Sequence, residues 1–164
     1  MSTPVVRRVN WWSVVPQIAV FALFWFLWQL IDPERAILFA AITHFVLSVG
    51  LRQIVGRYHR QGMNHVKSKN YEAAIEAFEK SYVFFSENEW VDRYRFLTMM
   101  SSSQMCYREM ALTNIAFCYS QLDKLEQTKV YYERALAEFP NNALAITALE
   151  MLEDGEEENF EKKR

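Results

Sequence analysis

Two long hydrophobic runs occupy the first third of the chain. Residues 18–28 contain no polar side chain. A helix over this run is apolar on every side, and residues 12–31 reach about 20 residues, the length that crosses the hydrocarbon core of a bilayer. The second run, residues 36–51, extends to Val55 because Arg52 can place its charge at the surface while its aliphatic stem stays in the lipid. The pattern predicts two membrane-spanning helices.

The short segment between the runs joins them into a hairpin over residues 12–55. Asp32 is a good helix cap and Pro33 suits a first helical position, so we expect the second helix to begin at Pro33 after almost no loop. The alternative interpretation of the first run is a secretory signal peptide. That interpretation is disfavoured because the run is long and no small-residue cleavage site closes it.

Basic residues predict the orientation of the hairpin, since Lys and Arg accumulate in cytoplasmic segments. Arg7 and Arg8 lie in an N-terminal tail, residues 1–11, and further basic residues follow the second run. Both termini are therefore expected in the cytoplasm, with the bacterial inner membrane favoured and an organelle membrane as the alternative. Anionic lipid headgroups should attract each basic residue near the surface by about 1 kcal/mol. These residues are Arg52, Arg57 and Arg60.

His44 is the one ionisable residue within the second run. An ionisable group in a membrane span is a candidate for proton or ligand binding. The simpler interpretation is a neutral imidazole that hydrogen-bonds to the facing helix, at Gln17 or Gln29. The simpler interpretation is favoured, because neither run contains an acidic partner.

Beyond the hairpin, large and small residues recur at a spacing of about 34 residues. Units 55–88 and 109–142 place small residues at equivalent helix positions and aromatic residues beside them. The small residues are Gly62, Ala74, Ala116 and Ala135, and the aromatic ones are Tyr71, Phe78, Tyr119 and Tyr132. Small residues let two helices approach closely, and aromatic rings fill the adjacent space. Pro140 ends the second unit, and residues 141–152 have the pattern of a capping helix.

Residues 62–82 and 115–142 resemble the tetratricopeptide repeat, a pair of antiparallel helices that stacks into an array. The predicted fold is therefore all-α: an N-terminal transmembrane helical hairpin followed by a short tetratricopeptide-like α-α superhelix over residues 56–152. An unrelated amphipathic helical bundle is the alternative. Two units are fewer than such arrays need. The capping helix, the segment between the units, the membrane or self-association must then supply further burial.

The resemblance also implies a protein-binding groove lined by the first helix of each unit. By position in the repeat, eight residues would line it: His59, Arg60, Met63, Val66, Lys67, Thr113, Asn114 and Phe117. Apart from Asn114, the residues with which some family members clamp a carboxylate are not matched. A mixed apolar and basic groove is expected to bind an amphipathic or acidic segment of a protein partner.

An inserted segment, residues 89–108, separates the two units and is predicted to be helical. Ser86 and Glu89 have the spacing of a capping box. Three large residues then share one helix face: Trp90, Tyr94 and Leu97. This face is either core that completes the array or an interfacial surface for the membrane or a partner.

Composition adds mainly exclusions. The formal net charge is −2, which argues against nucleic acid as a partner. Cys106 and Cys118 have no neighbouring pattern of metal ligands and no disulfide framework. No metal, cofactor or catalytic residue is predicted, and the chain is expected not to be an enzyme. The tail, residues 153–164, carries nine charges among twelve residues and is expected to be disordered, with a docking peptide as the alternative.

Together these patterns predict a non-enzymatic adaptor that is anchored in the membrane and contacts lipids and a protein partner. The alternative is a structural or assembly subunit of a larger integral membrane complex, with the Trp-rich hairpin as an interface. A homo-oligomer is compatible with both. A membrane enzyme that uses His44 ranks third.

Overall fold

The computed structural model of this chain describes residues 14–101 and 103–162, which form helices joined by turns and irregular segments. The helices are α1 (Val14–Gln29), α2 (Ala36–Val55), α3 (Arg57–Lys67), α4 (Tyr71–Glu87), α5 (Glu89–Arg93), α6 (Arg95–Thr98), α7 (Tyr107–Gln121), α8 (Leu125–Glu138) and α9 (Ala143–Lys162). The chain divides into two compact units. The hairpin unit contains the chain up to Arg57 together with Asn88–Cys106, and the array unit contains Tyr58–Glu87 and the chain from Tyr107 onward.

Within the hairpin unit, α1 and α2 pack against each other as antiparallel helices. The Trp28 ring lies 4.8 Å from the Phe39 ring, and the Trp28 indole N–H donates to the Thr43 hydroxyl at 3.2 Å. Ala36 and Ala40 are fully buried at this contact, as expected where small residues let two helices approach. A helical hairpin is therefore present in the described residues. Trp12, with which the predicted first span begins, lies outside them.

The second helix of the hairpin begins later than predicted. We expected it to start at Pro33, but α2 starts at Ala36 and the preceding residues form a turn. The Asp32 carboxylate accepts the backbone N–H of Arg35 at 3.2 Å, so Asp32 closes the turn rather than capping the helix. A turn at Gly56 separates α2 from α3.

The inserted segment is not the single helix that we predicted. It forms the short helices α5 and α6 and then an irregular stretch up to Cys106. Side chains bind the backbone carbonyls that a longer helix would use internally. The Arg95 guanidinium donates to the carbonyls of Asp92, Ser103 and Gln104, and the Thr98 hydroxyl lies 2.8 Å from the Val91 carbonyl.

The predicted capping box at the start of the insert is also wrong. Ser86 lies within α4, which continues to Glu87, and Asn88 precedes α5 without a side-chain capping bond. The insert packs through Val91, Met99 and Met100, which are buried. These residues belong to the hairpin unit, so the insert does not form part of the array core.

In the array unit, the two helix pairs α3–α4 and α7–α8 pack directly against each other although the insert separates them in sequence. One core cluster joins Val66, Ala74 and Phe78 of the first pair to Ala111 and Ile115 of the second. The array core is therefore continuous across the insertion point.

Two tyrosine–carboxylate hydrogen bonds also link α4 to α8. The Tyr82 hydroxyl donates to Glu138 at 2.6 Å, and the Tyr131 hydroxyl donates to Glu79 at 3.1 Å. Burial and the bond to the Glu79 carboxylate raise the pKa of Tyr131 to about 12. These bonds connect the second helices of the two pairs, as expected when adjacent units of an array stack.

The two helix pairs share the same turn geometry. Lys69 and Asp123 follow α3 and α7 at equivalent positions, and both adopt left-handed backbone conformations, with φ of 58° and 55°. The next residue in each turn donates its backbone N–H to a carbonyl in the preceding helix, Asn70 to His65 and Lys124 to Tyr119. This is the bond that ends a helix when a left-handed residue follows it.

The helix α9 packs on the array and is longer than the capping helix that we predicted. Ala145 is fully buried and, with Leu149 and Leu152, packs on a second core cluster that contains Leu112 and Tyr132. We expected residues 153–164 to be disordered, but α9 continues to Lys162. Glu and Lys, which dominate this stretch, are good helix formers, and the helix has already been nucleated by the packed turns before it.

Candidate functional site

The predicted partner groove is only partly accessible, because two of its eight residues are buried in the array unit and a third is enclosed between aromatic rings. Val66 belongs to the first core cluster, and Thr113 is buried where α7 meets the capping helix. The third, His59, packs between the Phe78 and Tyr107 rings, at 5.3 and 5.1 Å. These three residues therefore stabilise the fold and do not line a groove.

Burial changes the chemistry of His59. It lowers the pKa of the imidazole to about 4, because the surrounding apolar rings solvate the imidazolium poorly. Its buried Nδ1 atom has no hydrogen-bond partner among the described residues. His59 is therefore neutral at physiological pH and is unsuited to recognising an acidic partner.

Thr113 instead anchors the capping helix. Its hydroxyl accepts a hydrogen bond from the buried Asn142 side chain at 2.9 Å and donates to the Glu109 carbonyl. The Asn142 side-chain oxygen, Oδ1, in turn accepts the backbone N–H of Ala145 at 3.1 Å, which caps α9. A single buried amide thus joins α7 to the first turn of α9.

The other five predicted residues remain at least partly accessible, and we call them the array face: Arg60, Met63, Lys67, Asn114 and Phe117. The Asn114 amide contacts the Met63 sulfur at 3.8 Å, which joins α3 to α7. Arg60 and Lys67 are exposed on α3, while Phe117 packs edge-on against Tyr71. The array face therefore has an apolar centre with two cations on its α3 side.

Two features of the array unit were not predicted from the sequence. Tyr71 reaches the array face through its contact with Phe117, although the repeat pattern places it on the second helix of the pair. A surface hollow of about 570 Å³ also runs along α4, where Glu76, Glu79 and Glu87 surround Val83 and Phe84. Exposed acidic residues at i, i+3 and i+11 are common on solvated helices. The sequence pattern therefore did not distinguish this hollow from an ordinary solvated helix face.

In the hairpin unit, the large residues of the insert are exposed. The exposed fractions are 62% for Trp90, 54% for Tyr94 and 46% for Leu97. The interpretation that this face is array core is therefore wrong, because the opposite side of the insert, with Val91 and Asp92, is the buried one.

Arg52 does not act only as a surface cation. Its guanidinium donates to the backbone carbonyl of Met99 at 3.2 Å and to that of Met100. The Gln17 side-chain amide donates to the Met100 carbonyl as well, at 3.4 Å. Arg52 and Gln17 therefore hold the insert against one end of the hairpin. Arg57 and Arg60 are exposed.

His44 contacts the facing helix through its ring rather than through a hydrogen bond. The Phe21 ring lies edge-on at 5.9 Å, and the His44 Nε2 atom has no partner among the described residues. The suggested bond to Gln17 is not formed, since that amide binds Met100.

The described residues contain no group of three potential metal ligands. The thiol of Cys118 is fully buried, and burial raises its pKa to about 12, so it is a poor nucleophile.

Two segments of the chain match the family model for the tetratricopeptide repeat, residues 55–82 and 111–142. They coincide with the helix pairs α3–α4 and α7–α8. The chain therefore carries tetratricopeptide repeats. The match confirms the predicted repeats and replaces the alternative of an unrelated bundle. No curated protein and no solved structure matches the chain.

Of the described helices, α2 is long and apolar enough to cross a membrane, and only 6% of its most apolar window is buried. The helix α1 is also apolar but is shorter, with 16 residues. The repeats and the apolar hairpin thus lie in separate units of one chain.

Proposed function

We propose that the protein is a non-enzymatic adaptor, anchored by its hairpin in the cytoplasmic membrane, that binds a protein partner through its tetratricopeptide repeats. Repeats of this family are generally modules for protein–protein interaction. The observation that carries the proposal is the contrast between the two units: the array unit buries its apolar residues in two clusters, while the hairpin exposes most of its own.

The exposed hairpin surface supports a lipid environment. Sixteen large hydrophobic side chains between Val14 and Ile54 are exposed. Burying one such side chain is worth about 1.5–3 kcal/mol. These side chains are roughly half exposed, so leaving them in water costs on the order of 10–20 kcal/mol of hydrophobic free energy. This cost is comparable to the whole free energy of unfolding of a domain. A bilayer removes this penalty, and both termini then lie on the cytoplasmic side by the distribution of basic residues.

The array face supports an amphipathic or acidic segment as the bound element of the partner. Met63 and Phe117 offer apolar contacts at the centre, and Asn114 offers a hydrogen-bonding amide. Arg60 and Lys67 are exposed cations that can pair with acidic residues at one side. Charged groups at the rim of an interface mainly set its specificity and association rate, so the apolar centre should supply most of the affinity.

Site-specific photo-crosslinking in native membranes tests this function. A photoreactive residue at Met63 or Phe117 should capture one defined protein, whereas the same residue at Val130, exposed on α8 away from the array face, should not. Replacing Arg60 and Lys67 by glutamate should weaken capture, and Lys80→Glu on α4 is the matched charge control. Absence of a specific product at both array-face positions, with the chain purifying alone, would contradict the adaptor function.

The alternative function, a subunit of a larger membrane complex, is favoured by the exposed aromatic residues Trp25 and Phe26 on α1, which can pack against neighbouring protein helices as well as lipid. In that case the photoreactive residue should capture protein at Phe26 rather than at Phe117. The partner should also co-purify in detergent at a fixed stoichiometry.

A further inference from the structure

We propose that Trp90, Tyr94 and Leu97 form a membrane-interface surface, seated among the lipid headgroups at the open end of the hairpin. This inference rests on the proposed membrane anchor. It assigns to the insert a second, peripheral contact with the same leaflet, and it identifies the occupant of this exposed face as lipid.

The insert is attached to the open end of the hairpin. Gln17 lies in the first turn of α1 and Arg52 in the last turn of α2, so both belong to the open end, opposite the connecting turn. Both donate hydrogen bonds to the carbonyls at Met99 and Met100. The helix α6 also packs against α1. If the hairpin crosses the bilayer, the insert is therefore held at the level where the hairpin leaves the hydrocarbon.

The exposed side of the insert has the residue types of a membrane interface. Trp and Tyr have apolar rings with one polar group, and they are enriched at the boundary between hydrocarbon and water. On the insert they lie beside an exposed leucine, while the opposite side is closed by Met99 and Met100. Exposed large apolar residues in one short segment mark a binding surface. A lipid interface matches the mixed apolar and hydrogen-bonding character of this one.

The exposed side of the insert is continuous with the exposed apolar surface of the proposed anchor. Val15 and Ile54 lie two residues from Gln17 and Arg52, and both are exposed apolar residues at the same end of the hairpin. Lipid that surrounds these residues therefore reaches the level at which the insert is attached. A protein partner would have to displace that lipid to cover the same face.

Depth-dependent fluorescence quenching tests the inference in the full-length chain. The single-tryptophan variant that keeps Trp90 carries phenylalanine at the other four positions, Trp11, Trp12, Trp25 and Trp28. It is reconstituted in vesicles of zwitterionic and anionic phospholipid that contain lipids brominated either near the headgroup or near the chain end. We expect Trp90 emission to be blue-shifted and quenched several-fold more strongly by bromine near the headgroup.

A matched variant that keeps only Trp25 reports on the hairpin itself. Quenching of both Trp90 and Trp25 supports the interfacial surface. Quenching of Trp25 alone overturns it while the anchor stands, and the exposed face is then left for a protein partner. If neither tryptophan is quenched, the anchor and the interfacial surface both fail.

Single substitutions keep the inference testable if the fourfold substitution does not fold. Trp90→Phe in the otherwise unchanged chain should remove emission only from the fraction quenched near the headgroup. In the single-tryptophan variant that keeps Trp90, or in the parent chain, Arg52→Gln should detach the insert and reduce that quenching. The control Lys80→Gln removes an exposed cation of the array unit and should leave the quenching unchanged. Equal effects of the two charge-removing substitutions would overturn the inference.

Discussion

Replacing Gly62 by alanine tests the closest helix contact in the first repeat. A Cβ atom at this position would lie 2.6, 2.7 and 2.8 Å from the Cε1, Cδ1 and Cζ atoms of Phe78. Carbon atoms in contact are normally about 3.5–4.0 Å apart. The Phe78 ring is fully buried and is flanked by the His59 ring at 5.3 Å. The ring therefore cannot move aside without disturbing the core.

Two opposing effects set the magnitude of this substitution. Overpacking a core by one methyl group costs about 1–3 kcal/mol, and an overlap near 1 Å with a fixed ring belongs at the upper end of that range. Alanine is a better helix former than glycine by about 1 kcal/mol. We expect Gly62→Ala to lower the free energy of unfolding of the array unit by about 1–2 kcal/mol, or several degrees in Tm.

Alkylation of Cys118 during thermal unfolding provides the assay. This thiol is fully buried in the first core cluster, so its modification, resolved from that of Cys106 by peptide mass spectrometry, reports on opening of the array unit. Gly155→Ala is the matched control, because a Cβ there meets nothing within 4 Å. It should leave the alkylation midpoint unchanged or raise it slightly.

A double-mutant cycle with Phe78→Leu completes the test. Leucine opens space beside Gly62, so Gly62→Ala should cost less in the Phe78→Leu background than in the parent chain. The reasoning is refuted if Gly62→Ala is at least as stable as the parent, or if the two substitutions are additive.

Three further predictions concern buried polar groups of the array unit, and Cys118 alkylation or thermal unfolding measures each. Between pH 6.5 and about 4, the unfolded chain protonates His59 while the folded chain does not. Lowering the pH through this range should therefore reduce the free energy of unfolding by up to about 3 kcal/mol. A His59→Phe variant with the same pH dependence would contradict this. The buried Ser81 hydroxyl has no partner among the described residues, so Ser81→Ala should raise stability by about 1 kcal/mol, and a loss would show that a partner exists. Asn142→Ala should lower the free energy of unfolding by about 1–3 kcal/mol, because it removes the hydrogen bonds to Thr113 and Ala145. Asn141→Ala, at the exposed neighbouring position, should be nearly neutral. Equal effects of the two substitutions would exclude the capping role.

The repeats could be predicted because their geometry depends on residue size at fixed positions. Gly62, Ala74 and Ala116 occupy places where two helix backbones approach, and Phe78 fills the space beside them. Such positions tolerate few residue types, so the pattern is visible in a single sequence. The end of α2 at Val55 could be predicted for a similar reason, since it follows from the local run of apolar residues, whereas its start at Ala36 could not.

The insert could not be predicted because its form depends on contacts that are distant in sequence. The Arg95 guanidinium binds carbonyls eight and nine residues away, and Arg52 binds carbonyls 47 and 48 residues away. A helical pattern of large residues from Trp90 to Leu97 gave no sign of these bonds. They decide which side of the insert is buried, and they place the large residues on the exposed side.

The array face could be predicted only in part, because the position of a residue in the repeat does not determine its burial. Assignment by position treated all first-helix residues alike, so it included Val66, Thr113 and His59. The Phe78 and Tyr107 rings bury His59, and Asn142 of the capping segment binds Thr113. Phe78 and Asn142 lie outside the first helices, and the repeat pattern does not specify their contacts with first-helix residues.

The account depends on lipid covering the exposed apolar surface of the hairpin while the repeats remain in water. Alkaline carbonate washing of native membranes, followed by flotation on a density gradient, measures this directly for the full-length chain. We expect the chain to float with the bilayer after the wash and to leave it only in detergent. Recovery of a monodisperse chain in the aqueous fraction without detergent would contradict the account.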